Sequence, residues 1–107
     1  MSHRLERWGG VSILTVMAAP AEYGDHLRAR IAPVMTGIGP VEAAVVLTHV
    51  LAELTARGDL PDLIVSLGSC GSPTLEHAAV YQAASVAYRD IWRPGPWSAP
   101  PCGSMFP

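Results

Sequence analysis

Small and hydroxyl-bearing residues crowd one short loop of this chain, Gly68-Ser69-Cys70-Gly71-Ser72, directly behind an apolar run at residues 63–67 (LIVSL). Glycines let a backbone approach a bound molecule closely, and serines supply hydroxyls beside free N–H groups. An apolar run of this length reads as a fully buried strand, and ligands of open α/β sheets bind beyond the carboxyl ends of such strands. The plainer reading is a strand followed by an ordinary glycine turn. Cys70 is the thiol in the loop. A reactive thiol needs a basic partner, and no histidine stands near it in sequence, so it reads as a small apolar spacer. His26 and His49 fall on separate helical segments without metal-ligand spacing. Glu22 sits at the start of a helical segment, where a carboxylate is favoured by the helix dipole. Arg28 and Arg30 read as an exposed helix face rather than a phosphate clamp. Tyr88-Arg89-Asp90 follows the last apolar run, either as a substrate contact or as an ordinary strand end.

These residues need elements to position them. Residues 12–17 (SILTVM) read as a buried strand, which Ala18-Ala19-Pro20 ends. Pro20 suits the first turn of a helix running to about Ile31, closed by Pro33. A short extended piece at 34–36 leads into the turn Gly37-Ile38-Gly39-Pro40 and a second helix over 41–57. Apolar nearly throughout, that helix reads as buried on most sides, with Gly58 as its C′ residue. After the loop at 59–62 and the strand at 63–67, a further strand is expected over 80–88, with Val80, Val86 and Tyr88 in the core. Alternation of strands and helices means parallel strands with covering helices.

Composition sets limits on function. One domain is the expectation for 107 residues, with roughly 65% of the unfolded surface buried on folding. Half the residues are hydrophobic and 15% are charged, a rich apolar content that suggests a covered surface or partner. A net charge of −2 gives no basic footprint for nucleic acid. Two cysteines, Cys70 and Cys102, make no disulfide framework or paired metal motif, which fits a reduced cytoplasmic setting. The N-terminal region faintly resembles a signal peptide, with Arg4 and Arg7 before the apolar run at 11–19. Glu6 in its charged part and Pro20 in the cleavage box argue against that. No run reaches the roughly 18 apolar residues of a membrane span. The last stretch, residues 91–107, holds five of the ten prolines and two of the three tryptophans. No helical or strand period survives there, and it reads as an altered or truncated end rather than part of the domain.

Three segments in order, GIGPVEAA, PDLIVSLGSCGS and AVYQAASVAYRD, resemble the N-terminal half of the nucleosidases that cleave methylthioadenosine and S-adenosylhomocysteine, within the nucleoside phosphorylase superfamily. The resemblance covers residues 12–90, leaving 1–11 as an extension and 91–107 as a tail. It implies a truncated three-layer α/β sandwich around a parallel-dominated mixed sheet, with no metal or organic cofactor and pairing as a homodimer. It also implies hydrolysis of the N-glycosidic bond of an adenine nucleoside. Glu22 would activate the attacking water, and Ser69 would help hold it. Ile38, Gly68, Cys70 and Gly71 would line the ribose and base site. The phosphorylase motif Gly-Asp-Pro-x-Arg is absent after the first strand, where the acidic AEYGD stands instead, and this favours water over phosphate as the nucleophile.

The sequence departs from the family at three places. The hairpin usually found before the Gly-Ile-Gly turn is nearly absent, since residues 32–36 are too few. The loop reads Ser-Cys-Gly-Ser rather than Ser-Ala-Gly-Gly. The family's later half, with its ribose-clamping Met-Glu pair and purine-protonating aspartate, has no counterpart among these residues, and Asp90 does not substitute by position. Two rival readings follow: a catalytically inactive nucleoside-binding fragment, and a structural α/β module in which the loop is only a turn. An incomplete sheet should also expose an edge and apolar helix faces, so self-association is expected.

Overall fold

The apolar run behind Gly9-Gly10 forms the centre of a four-stranded mixed sheet. In the computed structural model, which describes residues 5–86, the chain divides into two compact units, Met1–Ser69 and Cys70–Pro107. Within the first, β1 (Glu6–Trp8) turns back antiparallel onto β2 (Val11–Met17), pairing Glu6 with Ile13 and Trp8 with Val11. Gly9 and Gly10, at φ 58° and 83°, supply the two left-handed residues of a tight hairpin turn. Sequence reading left this strand in an N-terminal extension over 1–11, although a Gly-Gly pair before an apolar run is a hairpin signal.

β2 carries every other strand. β3 (Val34–Met35) pairs in parallel with its end, Val16 facing Val34. β4 (Leu63–Ser66) runs parallel along its other edge, from Ile13–Leu63 to Val16–Ser66. A reciprocal clip fixes that register: Ser12 N–H and Oγ donate to Asp62 Oδ2 at 2.9 and 3.1 Å, and Asp62 N–H returns to Ser12 at its carbonyl oxygen, 2.9 Å. The Ser12 backbone N–H, then its hydroxyl, hold the Asp62 carboxyl below the ordinary carboxylate range.

The long helix α2 (Pro40–Ala56) crosses one face of this sheet. Pro40 opens it, where a missing N–H costs nothing. At the other end Gly58, at φ 68°, donates to the Thr55 carbonyl, and Asp59 N–H donates to that of Leu54. This pair of bonds is the Schellman closure expected of a glycine at C′. Leu14 and Val16 of β2, Val34 of β3, and Val50 and Leu54 of α2 make the core. Alternation along β2 turns Ile13, Thr15 and Met17 to the opposite face.

The turn before α2 depends on glycine. Gly39 lies at φ 132°, and a Cβ there would collide with the Glu42 carboxylate. Gly39→Ala is expected to cost about 1–3 kcal/mol, read as a fall in thermal midpoint of several degrees. An unchanged midpoint would mean that the turn relaxes at no cost.

Four elements differ from the sequence expectation. In place of one helix from Pro20 to about Ile31, a 3-10 turn (Pro20–Glu22) is followed by a single α turn, α1 (Asp25–Arg28). Gly24 between them is extended, at φ −83° and ψ 177°, and offers no side-chain cap to bridge the break. α2 is not buried on most sides. Only a stripe centred on Val50 and Leu54 is covered, while Val41 and Val45 face outward. β4 is not fully buried either, because among the described residues it pairs only with β2, and its Leu63 and Ile64 are exposed. No strand forms over the described part of 80–88. Val80 and Val86 are 98% and 86% exposed rather than core. Only two β-branched residues, Val80 and Val86, flank Gln82, Ala83, Ala84 and Ser85 in this stretch, and among the described residues neither has a neighbouring strand to pack on. Tyr88, Arg89, Asp90, Cys102 and the whole of 91–107 lie outside the described residues.

The chain is therefore α/β, with a small mixed sheet and one long helix, and none of its described helices is long and apolar enough to cross a membrane. Its first unit shows Ile38, Val41, Val45, Leu63 and Ile64 to solvent, and among the described residues one edge of β4 is unpaired. Concentration-dependent association is the expected result in sedimentation velocity. A monodisperse monomer at high concentration would contradict it.

Candidate functional site

Because β2 and β4 are adjacent and parallel, the loops at their carboxyl ends leave the sheet side by side. The pairing runs one residue beyond β4, with Leu67 N–H donating to the Val16 carbonyl at 3.0 Å. Past β2 the chain coils through Pro20–Glu22, closed by Glu22 N–H to Ala19 O at 3.1 Å and Tyr23 N–H to Pro20 O at 3.0 Å. Past β4 it runs through Gly68 to Ser69. Two segments separated by 47 residues thereby meet at one carboxylate.

Glu22 Oε2 accepts the Ser69 backbone N–H and, at 2.8 Å, the Ser69 hydroxyl. Both donors stabilise the ionised form. The backbone N–H, first, and the hydroxyl, second, hold the Glu22 carboxyl below its usual range. Gly68 makes the approach possible: a Cβ at that position would lie 3.1 Å from Glu22 Oε2. Its glycine is thus a matter of close contact with the carboxylate.

Tyr23 anchors the turn that carries Glu22, donating its hydroxyl to the Ile31 carbonyl. The Arg28 guanidinium stacks over the Tyr23 ring at 4.5 Å and donates Nε to the Tyr23 carbonyl at 3.1 Å. Arg28 is therefore a brace for this turn, which goes beyond the exposed helix face expected for it. His49 pairs with Glu53 one helical turn away, at 3.0 Å. Among the described residues, no group of three or more His, Cys, Asp or Glu side chains could hold a metal ion.

None of the other expected site residues, Ile38, Cys70 and Gly71, makes a hydrogen bond to Glu22 or Ser69 among the described residues. Ile38, in the Gly-Ile-Gly turn of the first unit, is 80% exposed. Cys70 and Gly71 belong to the second unit, where they line a cavity of about 270 Å³ with Ser72, Leu75, His77 and Tyr81. Ser72 Oγ shapes its wall by accepting the N–H groups of Thr74 and Leu75 at 3.2 and 3.1 Å. Cys70 is an exposed free thiol.

Sequence reading singled out Glu22 and Ser69 separately, and the fold joins them. It missed Asp62 as the residue that sets the β2–β4 register. The available signal was an Asp immediately before an apolar strand, with a Ser at the matching start of its neighbour. It also missed Glu6, whose Oε1 accepts the Ala32 N–H at 2.8 Å and ties β1 to the segment before β3.

A solvent-reachable carboxylate, held ionised and oriented by a serine, can take a proton from water or receive hydroxyl groups of a ligand. Its depressed proton affinity has a measurable consequence for any reaction that uses it as a base. The rate then falls on the acid side only below the ordinary glutamate range, because the ionised form persists to lower pH. Ser69→Ala removes one of the stabilising bonds, so the acid limb of kcat/KM is expected to move to higher pH. An acid limb that stays in place would separate the Ser69 hydroxyl from the titrating group.

No known protein family's sequence pattern matches this chain, and no curated protein matches it.

Proposed function

We propose that the chain carries part of a purine nucleosidase site, hydrolysing the N-glycosidic bond of an adenine nucleoside such as methylthioadenosine or S-adenosylhomocysteine. The observation that carries this reading is the Glu22–Ser69 pair at the carboxyl ends of two adjacent parallel strands. The resemblance named these two residues from separate parts of the sequence, and their meeting at one carboxylate oxygen is what a shared role requires.

In the proposed reaction, water attacks the anomeric carbon as the bond to the purine nitrogen breaks. Positive charge builds on the sugar and the electron pair leaves with the base. Glu22 takes the proton of the water through Oε1, the oxygen that receives neither Ser69 bond. Its negative charge also favours the cationic sugar of the transition state. Ser69 fixes the carboxylate rotamer, so no reorganisation is needed during reaction. The leaving purine must gain a proton from an acid, and the family's aspartate for that step has no counterpart in this sequence.

The finer fold that goes with this reading is a truncated three-layer sandwich of the nucleoside phosphorylase type. In such a sandwich the outward apolar residues of α2 and the β4 edge, unpaired among the described residues, would be covered. A homodimer in the cytoplasm belongs to the same proposal. A second reading, an inactive nucleoside-binding fragment, draws on the depressed basicity of Glu22 together with the lack of an acid.

The test is adenine release from methylthioadenosine by the purified chain, with and without phosphate, beside thermal shifts with the same nucleoside. Release independent of phosphate is the expected result. Release only with phosphate would make the site a phosphorylase. No release but a raised thermal midpoint would favour the binding fragment. Neither release nor a shift would leave a structural module.

A further inference from the structure

Among the described residues, β4 contributes no side chain to the buried cluster between α2 and the sheet, and its Leu63 and Ile64 are exposed. Packing therefore does little to fix where β4 lies along β2. Its own pattern does little more. Leu63, Val65 and Leu67 alternate with Ile64 and Ser66, so both faces carry apolar residues and a slip of one residue is weakly opposed. The clip at the start of the strand does fix it. Ser12 N–H and hydroxyl both reach Asp62 Oδ2, and Asp62 N–H reaches the Ser12 carbonyl and hydroxyl oxygens at 2.9 and 3.1 Å. The ladder follows from Ile13–Leu63 to Val16–Ser66, and Leu67 N–H extends it to the Val16 carbonyl. Two residues further on, Ser69 meets Glu22.

We propose that Asp62 is a positioning residue for the Glu22–Ser69 pair, acting through the register of β4. One residue of slip displaces Ser69 by about 3.3 Å along the strand. That exceeds the whole 2.8 Å from its hydroxyl to Glu22 Oε2. The slip also carries Leu67 or Ser69 into the place of Gly68, where a Cβ would lie 3.1 Å from the carboxylate. The pair therefore accepts one register. All these residues belong to the first unit. The two ends of β4 are alike in kind, since at each a carboxylate oxygen takes the N–H and hydroxyl of one serine. At Asp62 the charge of Arg7 on β1 assists the Ser12 bonds; at Glu22 the Ala19 backbone assists those of Ser69; burial opposes both sets. The bearing of Asp62 on catalysis rests on the nucleosidase reading, whereas the positioning itself does not.

The experiment follows the Glu22 carboxyl carbon and the Ser69 amide proton of the full chain by NMR across the acid range. In the parent chain, Glu22 is expected to titrate below the ordinary glutamate range, with the Ser69 amide moving in step. Asp62→Ala is expected to bring the Glu22 titration up into the ordinary range and to abolish the Ser69 response. The direction separates register from simple electrostatics, because loss of a negative charge by itself would favour ionised Glu22 and move the titration down. Asp62→Asn keeps an oxygen that accepts both Ser12 donors and is expected to stay close to the parent. Ser12→Ala keeps the backbone bonds of the clip, so it preserves the fold and is expected to give a smaller rise in the same direction. Val50→Ala is the control for lost stability: it opens the core without touching β4, lowers the thermal midpoint by several degrees and leaves the Glu22 titration in place. An unmoved Glu22 titration in folded Asp62→Ala or in Ser12→Ala, or an equal rise in Val50→Ala, would overturn the proposal. Neither readout needs a substrate, so failure of the nucleosidase reading would show separately, as absent adenine release.

Discussion

Glu22→Gln is expected to lower adenine release from methylthioadenosine by about 10²–10⁴-fold, the usual worth of a positioned general base. Glutamine keeps the size of the side chain and a carbonyl oxygen able to accept both Ser69 donors, so the turn at Pro20–Glu22 should hold its shape. What is lost is the negative charge and the capacity to take a proton. The loss should therefore fall on kcat, with KM little changed. Circular dichroism and thermal midpoint close to those of the parent chain would show that chemistry and not folding had been removed. A Glu22→Gln chain that retains full release would exclude Glu22 as the base. A chain whose KM rises at constant kcat would make Glu22 a binding residue, in line with the inactive-fragment reading.

The second large effect is on stability. Leu54→Ala is expected to cost about 2–5 kcal/mol, the range for truncating a fully buried leucine. Leu54 is wholly inaccessible and packs with Leu14, Val16, Val34 and Val50. Among the described residues these side chains make the buried cluster between α2 and the sheet, with Leu5, Val46, Leu47 and Leu51 packed half-buried against it, so truncation leaves a void at its centre. A small domain is stable by only about 5–15 kcal/mol, and this loss takes a large part of it. The thermal midpoint should fall by about 8 °C or more, at about 4–8 °C per kcal/mol. Val45→Ala on the outer face of the same helix is the control, expected within about 0.5 kcal/mol because Val45 is already exposed. Equal effects at the two positions would mean that α2 is covered on both faces, by another copy of the chain or by elements outside the described residues.

Glu22 and Ser69 were both legible as candidates through the family resemblance, one as an acidic residue after the first apolar run and one in the glycine-serine loop behind residues 63–67. Their contact was not. Nothing in either segment states that β4 pairs directly with β2, and that adjacency is what brings two loops 47 residues apart to one oxygen. The break at Gly24 was misread because apolar spacing across 20–31 is compatible with a helix, while an extended glycine interrupts it. The expected strand at 80–88 failed for a different reason. Strand propensity is realised only on a neighbour, and Val80 and Val86 have none among the described residues.

By itself the sequence determined the local events: β2, β3 and β4 close to their observed bounds, and α2 from Pro40 to its glycine closure at Gly58. These follow from hydrophobic runs, proline and glycine, whose preferences act within a few residues. Only the tertiary structure decided which faces are covered, which strand is an edge, that Asp62 sets a register, and that Glu22 and Ser69 share a bond. Those outcomes depend on contacts between residues far apart in the chain, whose free energy exists only once the backbone has brought them together.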